Sequence, residues 1–313
     1  MPREPDAAHL VRRPLLRALL ATRPAFLLLA AVGVGIGLAV AVATGERPLD
    51  APLAALTLLG ALTFHAAVNV DNDYHDARNG TDADNADRLF PFTGGSRMIQ
   101  NGALSPEQTQ RLAWLLYAAT GLIGLALLTR AGLSLLWLGL AGALLGWAYS
   151  APPLALNSRG LGEVTVGLGF GMLMPMGADL VQRGMLSTGA AWAGAGYALM
   201  TVNLLLLNEF PDADADRQAG KRHLVVRLGR SRARWIYLGT AVLAYSTPVL
   251  LVATDRLPTT ALLSLAALPL TVYALRRLWQ DAERPERLAP PIRATIAATL
   301  LFGTLTAVGL LLD

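Results

Sequence analysis

The stretch APLAALTLLGALTFHAAVNVDNDYHDARNGTD, residues 51–82, joins an apolar run to a cluster of acidic residues. Its first part, approximately 52–69, is long enough to cross the roughly 30 Å hydrocarbon core of a bilayer as a helix. Its last part holds Asp71, Asp73, Asp76 and Asp82. The stretch therefore predicts a membrane-spanning helix that leads directly into a group of carboxylates. Acids beside a bilayer are costly, and their presence there indicates a function.

The rest of the chain repeats the apolar pattern. Of its 313 residues, 54% are hydrophobic and only 15% are charged, whereas soluble domains carry about 25% charged residues. The chain has no cysteine, which excludes disulfides and thiolate metal sites. We expect an all-α, polytopic membrane protein with nine transmembrane helices in one bundle. The expected spans are approximately 24–44, 52–69, 110–129, 131–148, 162–180, 187–208, 233–253, 258–276 and 293–312.

The basic residues indicate the orientation. With the N-terminus in the cytoplasm, all but four of the 26 Lys and Arg residues lie on the inner side; the four are Arg47, Arg130, Arg183 and Arg256. This bias follows the positive-inside rule. It predicts a multi-pass protein of the cell membrane with a basic cytoplasmic tail, residues 1–23, and two long cytoplasmic connections, 70–109 and 209–232. The same bias accounts for the basic isoelectric point, so we expect a lipid bilayer and no nucleic acid as partner.

Two acidic clusters stand out, one in each long connection. The first acidic cluster consists of Asp71, Asp73, Asp76, Asp82, Asp84 and Asp87, and the second, in NEFPDADADRQAGKR (208–222), consists of Glu209, Asp212, Asp214 and Asp216. Helical spacing places Asn69, Asp73 and Asp76 on one face, and likewise Asn208, Asp212 and Asp216. Asp71 and Asp214 fall on other faces, and we expect Asp84 and Asp87 to be solvated loop acids.

Carboxylates on one helix face repel each other, and a divalent cation would relieve this. Oxygen ligands without cysteine favour Mg²⁺, which takes one or two carboxylates and phosphate oxygens of a substrate. Basic residues follow both clusters, namely Arg78, Arg97, Lys221 and Arg222. Gly94 and Gly95 would let backbone N–H groups approach an anion. These residue types predict a site in which Mg²⁺ bridges both clusters to a diphosphate.

At these residues the chain resembles the UbiA superfamily of intramembrane aromatic prenyltransferases. The resemblance rests on NVDNDYHDARNGTD (69–82) and NEFPDADADRQAGKRHLVVRLG (208–229), which look like the family's two aspartate-rich motifs. Together with GWAYSAPPLALNSRGLGE (146–163), they are most similar to the branch that prenylates 1,4-dihydroxy-2-naphthoate for menaquinone. The resemblance covers nearly the whole chain and implies a single prenyltransferase domain, residues 1–313.

The resemblance also implies roles for individual residues. Two Mg²⁺ ions would be held by Asn69, Asp73, Asp76, Asn208, Asp212 and Asp216, with Asp82 assisting. Asp73, Asp76, Asp212 and Asp216 would be the catalytic carboxylates, and Lys221, Arg222, Arg78 and Arg97 would bind the diphosphate. Ionisation of a polyprenyl diphosphate leaves an allylic cation, which an electron-rich aromatic acceptor attacks. Tyr149 would stabilise that cation or contact the acceptor.

Alternatives to this interpretation remain open at the level of sequence. Pro211, inside the second motif, removes a backbone donor and can kink the helix, and the loop FPFTGGSRMIQNG (90–102) departs from the commonest form of the naphthoate branch. Both departures bear on the acceptor, for which 4-hydroxybenzoate, homogentisate and a glycerol-phosphate lipid are further candidates. A different class of function is an ion-coupled transporter, which would place charges near mid-membrane.

Overall fold

A computed structural model describes residues 4, 7–45, 48–81, 85 and 88–313 of the chain. The described residues form helices and connections, and nine of the helices are long and apolar enough to cross a membrane. In chain order they are α1 (Pro24–Ala43), α2 (Ala51–Asn79), α3 (Pro106–Ala131), α4 (Leu133–Ser150), α5 (Gly162–Arg183), α6 (Gly189–Gln218), α7 (Arg230–Ala253), α8 (Thr259–Asp281) and α9 (Ala289–Leu311). The predicted fold class, an all-α bundle of nine spans, is confirmed.

Two helices are longer than the sequence predicts. Residues 70–79 and 209–218, assigned above to connections, are the last turns of α2 and α6. No helix breaker separates the apolar part of α2 from its acidic part, and α2 ends only where Gly80 adopts φ 83°. Glycine accepts this left-handed conformation without a steric penalty. Residues 70–79 of the first motif and 209–218 of the second therefore continue a membrane span as part of the same helix.

Helix α6 lies at the centre of the bundle. In its most apolar window 72% of the residues are buried, whereas the corresponding share is 11% in α3 and in α4. Glycines allow the central helices to approach each other closely: a Cβ on Gly194 of α6 would overlap the carbonyl oxygen of Gly171 in α5. Close approach through small residues is the usual basis of helix association in lipid. The second motif thus extends from the most enclosed helix of the protein.

Shorter elements connect the spans. Helices Ala7–Val11 and Pro14–Ala21 precede α1, and Leu224–Leu228 follows α6. Short 3₁₀ turns occur at Leu156–Ser158 and Pro285–Arg287, and the first part of α8, Thr259–Ala267, is also 3₁₀. Within α5, a π-helical segment, Gly169–Leu173, separates Gly162–Leu168 from Met174–Arg183.

Side chains bind backbone groups at the start of α3 and beside a proline of α6. Ser105 caps α3 in a capping box, in which the Gln108 backbone N–H donates to Ser105 Oγ at 3.2 Å and the Ser105 N–H donates to Gln108 Oε1 at 3.0 Å. Pro211 lies inside α6, which continues through it. Arg230 Nε donates to the neighbouring Phe210 carbonyl at 2.8 Å, so a side chain binds the backbone beside the proline.

Candidate active site

A cavity of about 440 Å³ runs between helices α1 to α6. Both acidic clusters contribute residues to its wall. The remainder of the wall is mostly apolar and includes Phe64, Leu135, Leu138, Phe170, Met174 and Val181. The cavity therefore combines a charged end with an apolar interior, which suits a ligand that has one charged group and a long apolar part.

The acids of the first acidic cluster have different neighbours in the structure. Asp76 lines the cavity together with Asn69 and Asn72, and Asn72 Nδ2 donates to Asp76 Oδ2 at 3.1 Å. Asp71 faces away, as predicted, and accepts a hydrogen bond of 3.4 Å from Tyr117 Oη on α3. Asp82, Asp84 and Asp87 lie outside the described residues. Asp76 is thus the acid of this cluster that the described structure brings to the cavity wall.

Asp73 is buried beside the cavity. Its carboxylate forms an ion pair with Arg23 and accepts hydrogen bonds from the Ser96 backbone N–H at 3.2 and 3.3 Å. Arg23 itself lines the cavity and adopts a left-handed φ of 55° at the start of α1. Asp73 therefore joins the first turn of α1, the end of α2 and the connection between α2 and α3.

Three acids of the second acidic cluster line the cavity, namely Glu209, Asp212 and Asp216, and so does the preceding residue, Asn208. Asp214 faces elsewhere, as predicted, and pairs with Arg217 and Arg230 at 3.0 and 2.8 Å. The Asn208 Oδ1 atom is buried and has no hydrogen-bond partner among the described residues. An amide oxygen without a partner at a cavity wall is available to a ligand or a cation.

Lys221 joins the two clusters. Its Nζ lies 2.8 Å from Asp76 Oδ1 on α2 and 3.6 Å from Asp216 Oδ1 on α6. The position of Lys221 follows from the end of α6: Gly220 adopts φ 83°, and the Lys221 N–H donates to the Asp216 carbonyl at 2.9 Å. This turn folds the chain back, so that the single lysine of the protein lies between carboxylates of both motifs.

His223 lies in the same turn and is almost fully buried. Its Nε2 is 2.9 Å from Asp216 Oδ2, and its Nδ1 is 3.2 Å from Glu209 Oε2. Burial alone would lower the pKa of His223, but the neighbouring carboxylates of Glu209 and Asp216 raise it to about 10. Protonation of an imidazole in this position reduces the repulsion between the two acids.

The connection between α2 and α3 contacts both motifs. Gly94 donates its N–H to Asp212 Oδ2 at 3.1 Å, and Asn85 donates to Asp212 Oδ1 at 2.8 Å, while Ser96 contacts Asp73. We expected Gly94 to present its N–H to an anion, and in the structure that anion is a carboxylate of the second cluster. Gly94 has φ 76°, and a Cβ there would lie 2.8 Å from the Arg88 Cβ, so the close approach requires glycine.

Some of the remaining predicted residues line the cavity and others do not. Tyr149 lines the cavity, as does Lys221. Arg222 and Arg78 are exposed and do not line it; Arg78 donates to Tyr74 Oη at 2.9 Å. Arg97 is buried with φ 64°, beside the cavity wall formed by Gly94 and Gly95 rather than in it. Of the four predicted diphosphate ligands, the structure brings only Lys221 to the cavity.

The structure adds four residues that the sequence analysis did not assign to the site: Arg23, Asn72, Glu209 and His223. The signal for Asn72 was present, because it precedes Asp76 by four positions, which is one helical turn. Arg23 was counted only as a basic residue of the tail. Nothing local predicts its contact with Asp73, which is fifty positions away in the chain.

The donor set fits Mg²⁺. Among the described residues, His, Asp and Glu side chains form no group of three or more that resembles a complete metal shell. Mg²⁺ characteristically takes only one or two carboxylates and completes its octahedron with waters and substrate phosphate oxygens. Asp76 with Asn69 or Asn72, and Asp212 or Asp216 with the unpartnered Asn208 Oδ1, provide hard oxygen ligands of this kind on both sides of the cavity end.

Comparison with known proteins gives relatives over most of the chain. The "1,4-dihydroxy-2-naphthoate octaprenyltransferase" of Mycobacterium leprae is 30% identical over 272 residues, covering 82% of this chain and 85% of the relative. The "2-carboxy-1,4-naphthoquinone phytyltransferase" of a Synechocystis species is 27% identical over 235 residues, covering 74% and 73%. A UbiA homologue from Archaeoglobus fulgidus, solved with GPP and Mg²⁺, has a TM-score of 0.63 at 15% identity and covers 93% of this chain and 99% of its own.

The model of the UbiA prenyltransferase family matches residues 28–302, which include both motifs and all nine spans in whole or in part. The structural similarity supports the same fold, and the sequence similarity supports prenyl transfer by a membrane enzyme. The predicted family, fold class and enzyme class are therefore confirmed. This multi-pass membrane prenyltransferase belongs to the UbiA prenyltransferase family.

Proposed function

We propose that the protein transfers a polyprenyl group from a polyprenyl diphosphate to 1,4-dihydroxy-2-naphthoate, with Mg²⁺ as cofactor, in menaquinone biosynthesis. The observation that carries the proposal is the cavity, in which carboxylates of α2 and α6 converge on Lys221 at one end of an apolar interior. The names of the relatives support the naphthoate acceptor, since those that act on a naphthoate or naphthoquinone match over most of this chain.

The cavity residues divide the work of the reaction. Asp76, Asp212 and Asp216 with Asn69, Asn72 and Asn208 would hold the metal. Mg²⁺ bound there would supply positive charge against the diphosphate leaving group. Lys221 and Arg23, both at the charged end of the cavity, contribute fixed positive charge to the same leaving group.

The apolar interior protects the allylic cation. Its wall of aliphatic and aromatic side chains excludes water, which would otherwise capture the cation before the aromatic carbon attacks. Tyr149 lies in this wall and presents an aromatic ring, which stabilises a nearby cation. The same interior accommodates the prenyl chain, and its length and width select the donor.

The orientation and membrane belong to the proposal as well. With the N-terminus in the cytoplasm, the charged end of the cavity opens towards the cytoplasmic side of the cell membrane, where soluble diphosphates and Mg²⁺ are supplied. This orientation rests on the distribution of the basic residues.

The test is to incubate purified protein in detergent with Mg²⁺ and geranylgeranyl diphosphate and to offer dihydroxynaphthoate, 4-hydroxybenzoate, homogentisate and a glycerol-phosphate lipid separately. Product masses identify the acceptor. We expect a prenylated product with dihydroxynaphthoate, loss of turnover with EDTA and recovery with excess Mg²⁺. If only another acceptor reacts, the naphthoate assignment is wrong. If turnover continues in EDTA at the untreated rate, the metal assignment is wrong.

A further inference from the structure

His65 is a buried polar residue that the proposed reaction has not used. It lies on α2 within the apolar part of the cavity wall, and only 7% of its surface is exposed. Its Nδ1 atom is buried without a hydrogen-bond partner among the described residues. A buried polar atom without a partner is costly, and native structures contain few of them. The imidazole therefore has unused hydrogen-bonding capacity at the surface of a ligand cavity.

The other polar groups in this part of the wall are satisfied within their own helices. Three threonine hydroxyls donate to the backbone carbonyl four positions earlier, at distances of 2.8 to 2.9 Å: Thr57 to Leu53, Thr120 to Leu116 and Thr165 to Leu161. These hydroxyls need no partner from the cavity. His65 differs from them, because its Nδ1 has no hydrogen-bond partner among the described residues and its side chain lines the cavity.

The imidazole is held in a defined orientation. Its ring contacts the edge of Phe170, with centroids 4.6 Å apart and planes inclined by 66°. Phe170 belongs to the π-helical segment of α5. Such segments reposition side chains and are frequent at functional sites. The π segment thus places an aromatic ring against His65 at the point where both residues line the cavity.

The depth of His65 decides which ligand group it meets. His65 precedes Asn69, the metal ligand nearest to it on α2, by four positions, or about 6 Å along the helix axis, and it precedes Asp76 by eleven positions, or about 16 Å. His65 therefore lies one turn to the apolar side of the metal ligands, where the allylic carbon and the acceptor have to meet. The prenyl chain is a hydrocarbon and has no hydrogen-bonding group. The acceptor is therefore the polar partner that we assign to His65, and separate KM values for the acceptor and the diphosphate distinguish it from the diphosphate.

We propose that His65 positions the acceptor by a hydrogen bond between its imidazole and a ring hydroxyl of that acceptor. The inference rests on the proposed function, since it requires an aromatic acceptor with polar substituents. A two-ring acceptor that touches the allylic carbon near the clusters extends towards His65 with its long axis. The hydrogen bond then fixes which ring carbon faces the cation, and positioning of this kind determines the rate and the site of attack.

The decisive variant is His65→Phe, which preserves the ring contact with Phe170 and removes both nitrogens. We expect the KM for dihydroxynaphthoate to rise about tenfold, the effect of one hydrogen bond to a group that is otherwise left unpaired. The KM for geranylgeranyl diphosphate should change by less than about twofold. His65→Gln, which restores a polar group, should recover part of the acceptor affinity.

The matched control is His75→Phe. His75 lies on the same helix but does not line the cavity, and its Nε2 is 3.6 Å from Asp71. It receives the same substitution, and we expect both KM values to stay within about twofold of the wild type. Thermal unfolding in detergent checks that both variants fold.

A binding measurement without turnover identifies the hydroxyl. Inhibition constants of 1-hydroxy-2-naphthoate and 4-hydroxy-2-naphthoate, each lacking one hydroxyl of the acceptor, are compared between wild type and His65→Phe. The analogue without the bonded hydroxyl should bind both proteins equally, whereas the other should bind the variant more weakly. The role of His65 is overturned if an active His65→Phe protein has an unchanged acceptor KM or shows an equal rise in both KM values. The proposed function would still stand in that case. A wild-type protein that prenylates no aromatic acceptor overturns the proposed function itself.

Discussion

At the scale of residues, adjacent acids of one motif have different tasks. Asp71, Asp73 and Asp76 lie within six positions, yet each contacts a different neighbour: Tyr117 on α3, Arg23 before α1, and Lys221 after α6. The cause is the helix itself, which turns by about 100° per residue and directs successive side chains around its axis. Acidity alone therefore does not identify the residues that meet the substrate, and matched substitutions within one motif can separate them.

The first prediction compares acids of the same motif that lie inside and outside the cavity wall. Asp76→Asn and Asp212→Asn should each lower kcat/KM by about 100-fold or more, because each removes a charged ligand at the end of the cavity. Asp71→Asn and Asp214→Asn, which change acids of the same motifs outside the cavity wall, should retain activity near that of the wild type. Steady-state kinetics with Mg²⁺ and circular dichroism test this. Equal losses in all four variants would contradict the division.

A second prediction concerns two neighbouring cations. Lys221→Met should reduce kcat/KM roughly 10²–10³-fold, the usual loss for a positioned group that stabilises a leaving charge. Arg222→Met should reduce it by less than about fivefold, since the Arg222 side chain is exposed and exposed charges contribute little. The same assay and donor are used for both. A larger loss in Arg222→Met than in Lys221→Met would show that the diphosphate lies outside the cavity described.

At the scale of elements, the close crossing of α5 and α6 supports the site. The π segment of α5 packs on α6 through glycine: a Cβ on Gly171 would overlap the backbone of Ala198. The same segment carries Phe170, which contacts His65, and α6 continues from this crossing to the second acidic cluster. Packing at the crossing therefore sets the positions of both the apolar wall and the carboxylates.

The third prediction tests this crossing. Gly171→Ala should lower the free energy of unfolding by about 1–3 kcal/mol, because the added methyl group overpacks a tight interface. Gly169→Ala, two positions away in the same π segment, adds a Cβ that meets nothing within 4 Å and should leave the stability nearly unchanged. Thermal unfolding of both variants in one detergent measures the difference. Equal stabilities would mean that the two helices separate at no cost.

At the scale of the whole molecule, the bundle brings distant chain segments to one end. Six helices line the cavity, and the residues that meet at Lys221 come from α2, from α6 and from the connection after α6. Because α2 and α6 are both even-numbered spans, their C-terminal ends lie at the same face of a membrane. The site and the basic connections must therefore share that face.

The fourth prediction tests which face this is. The chain has no cysteine, so a single introduced cysteine is the only thiol of the protein that a maleimide can label. Glu286→Cys lies between α8 and α9, on the face of the site, and Met185→Cys lies between α5 and α6; both positions are exposed. A membrane-impermeant maleimide should label Glu286→Cys only in inside-out vesicles and Met185→Cys only in right-side-out vesicles. The reverse pattern would place the site outside the cell.

Much of this architecture is determined by local sequence. Apolar segments of about 20 residues cross a bilayer as helices because the backbone has no other partner there, so the number and approximate positions of the spans follow from composition. Helical spacing likewise separates Asp71 and Asp214 from the acids of the cavity. The span boundaries drawn from apolar composition ended α2 and α6 too early, because charged residues lower the apolar signal that defines a span.

Only the tertiary structure decided which polar groups meet. The contacts of Arg23 with Asp73, of Gly94 with Asp212 and of His65 with Phe170 join segments 50 to 118 positions apart in the chain. No local pattern determines such contacts, since they depend on how closely the glycine-containing helices approach and on the turns at Gly80 and Gly220. Composition and helical periodicity thus specified a membrane bundle with two acidic helix ends. The packing of the helices then brought those ends together at one cavity, which has a charged half and an apolar half.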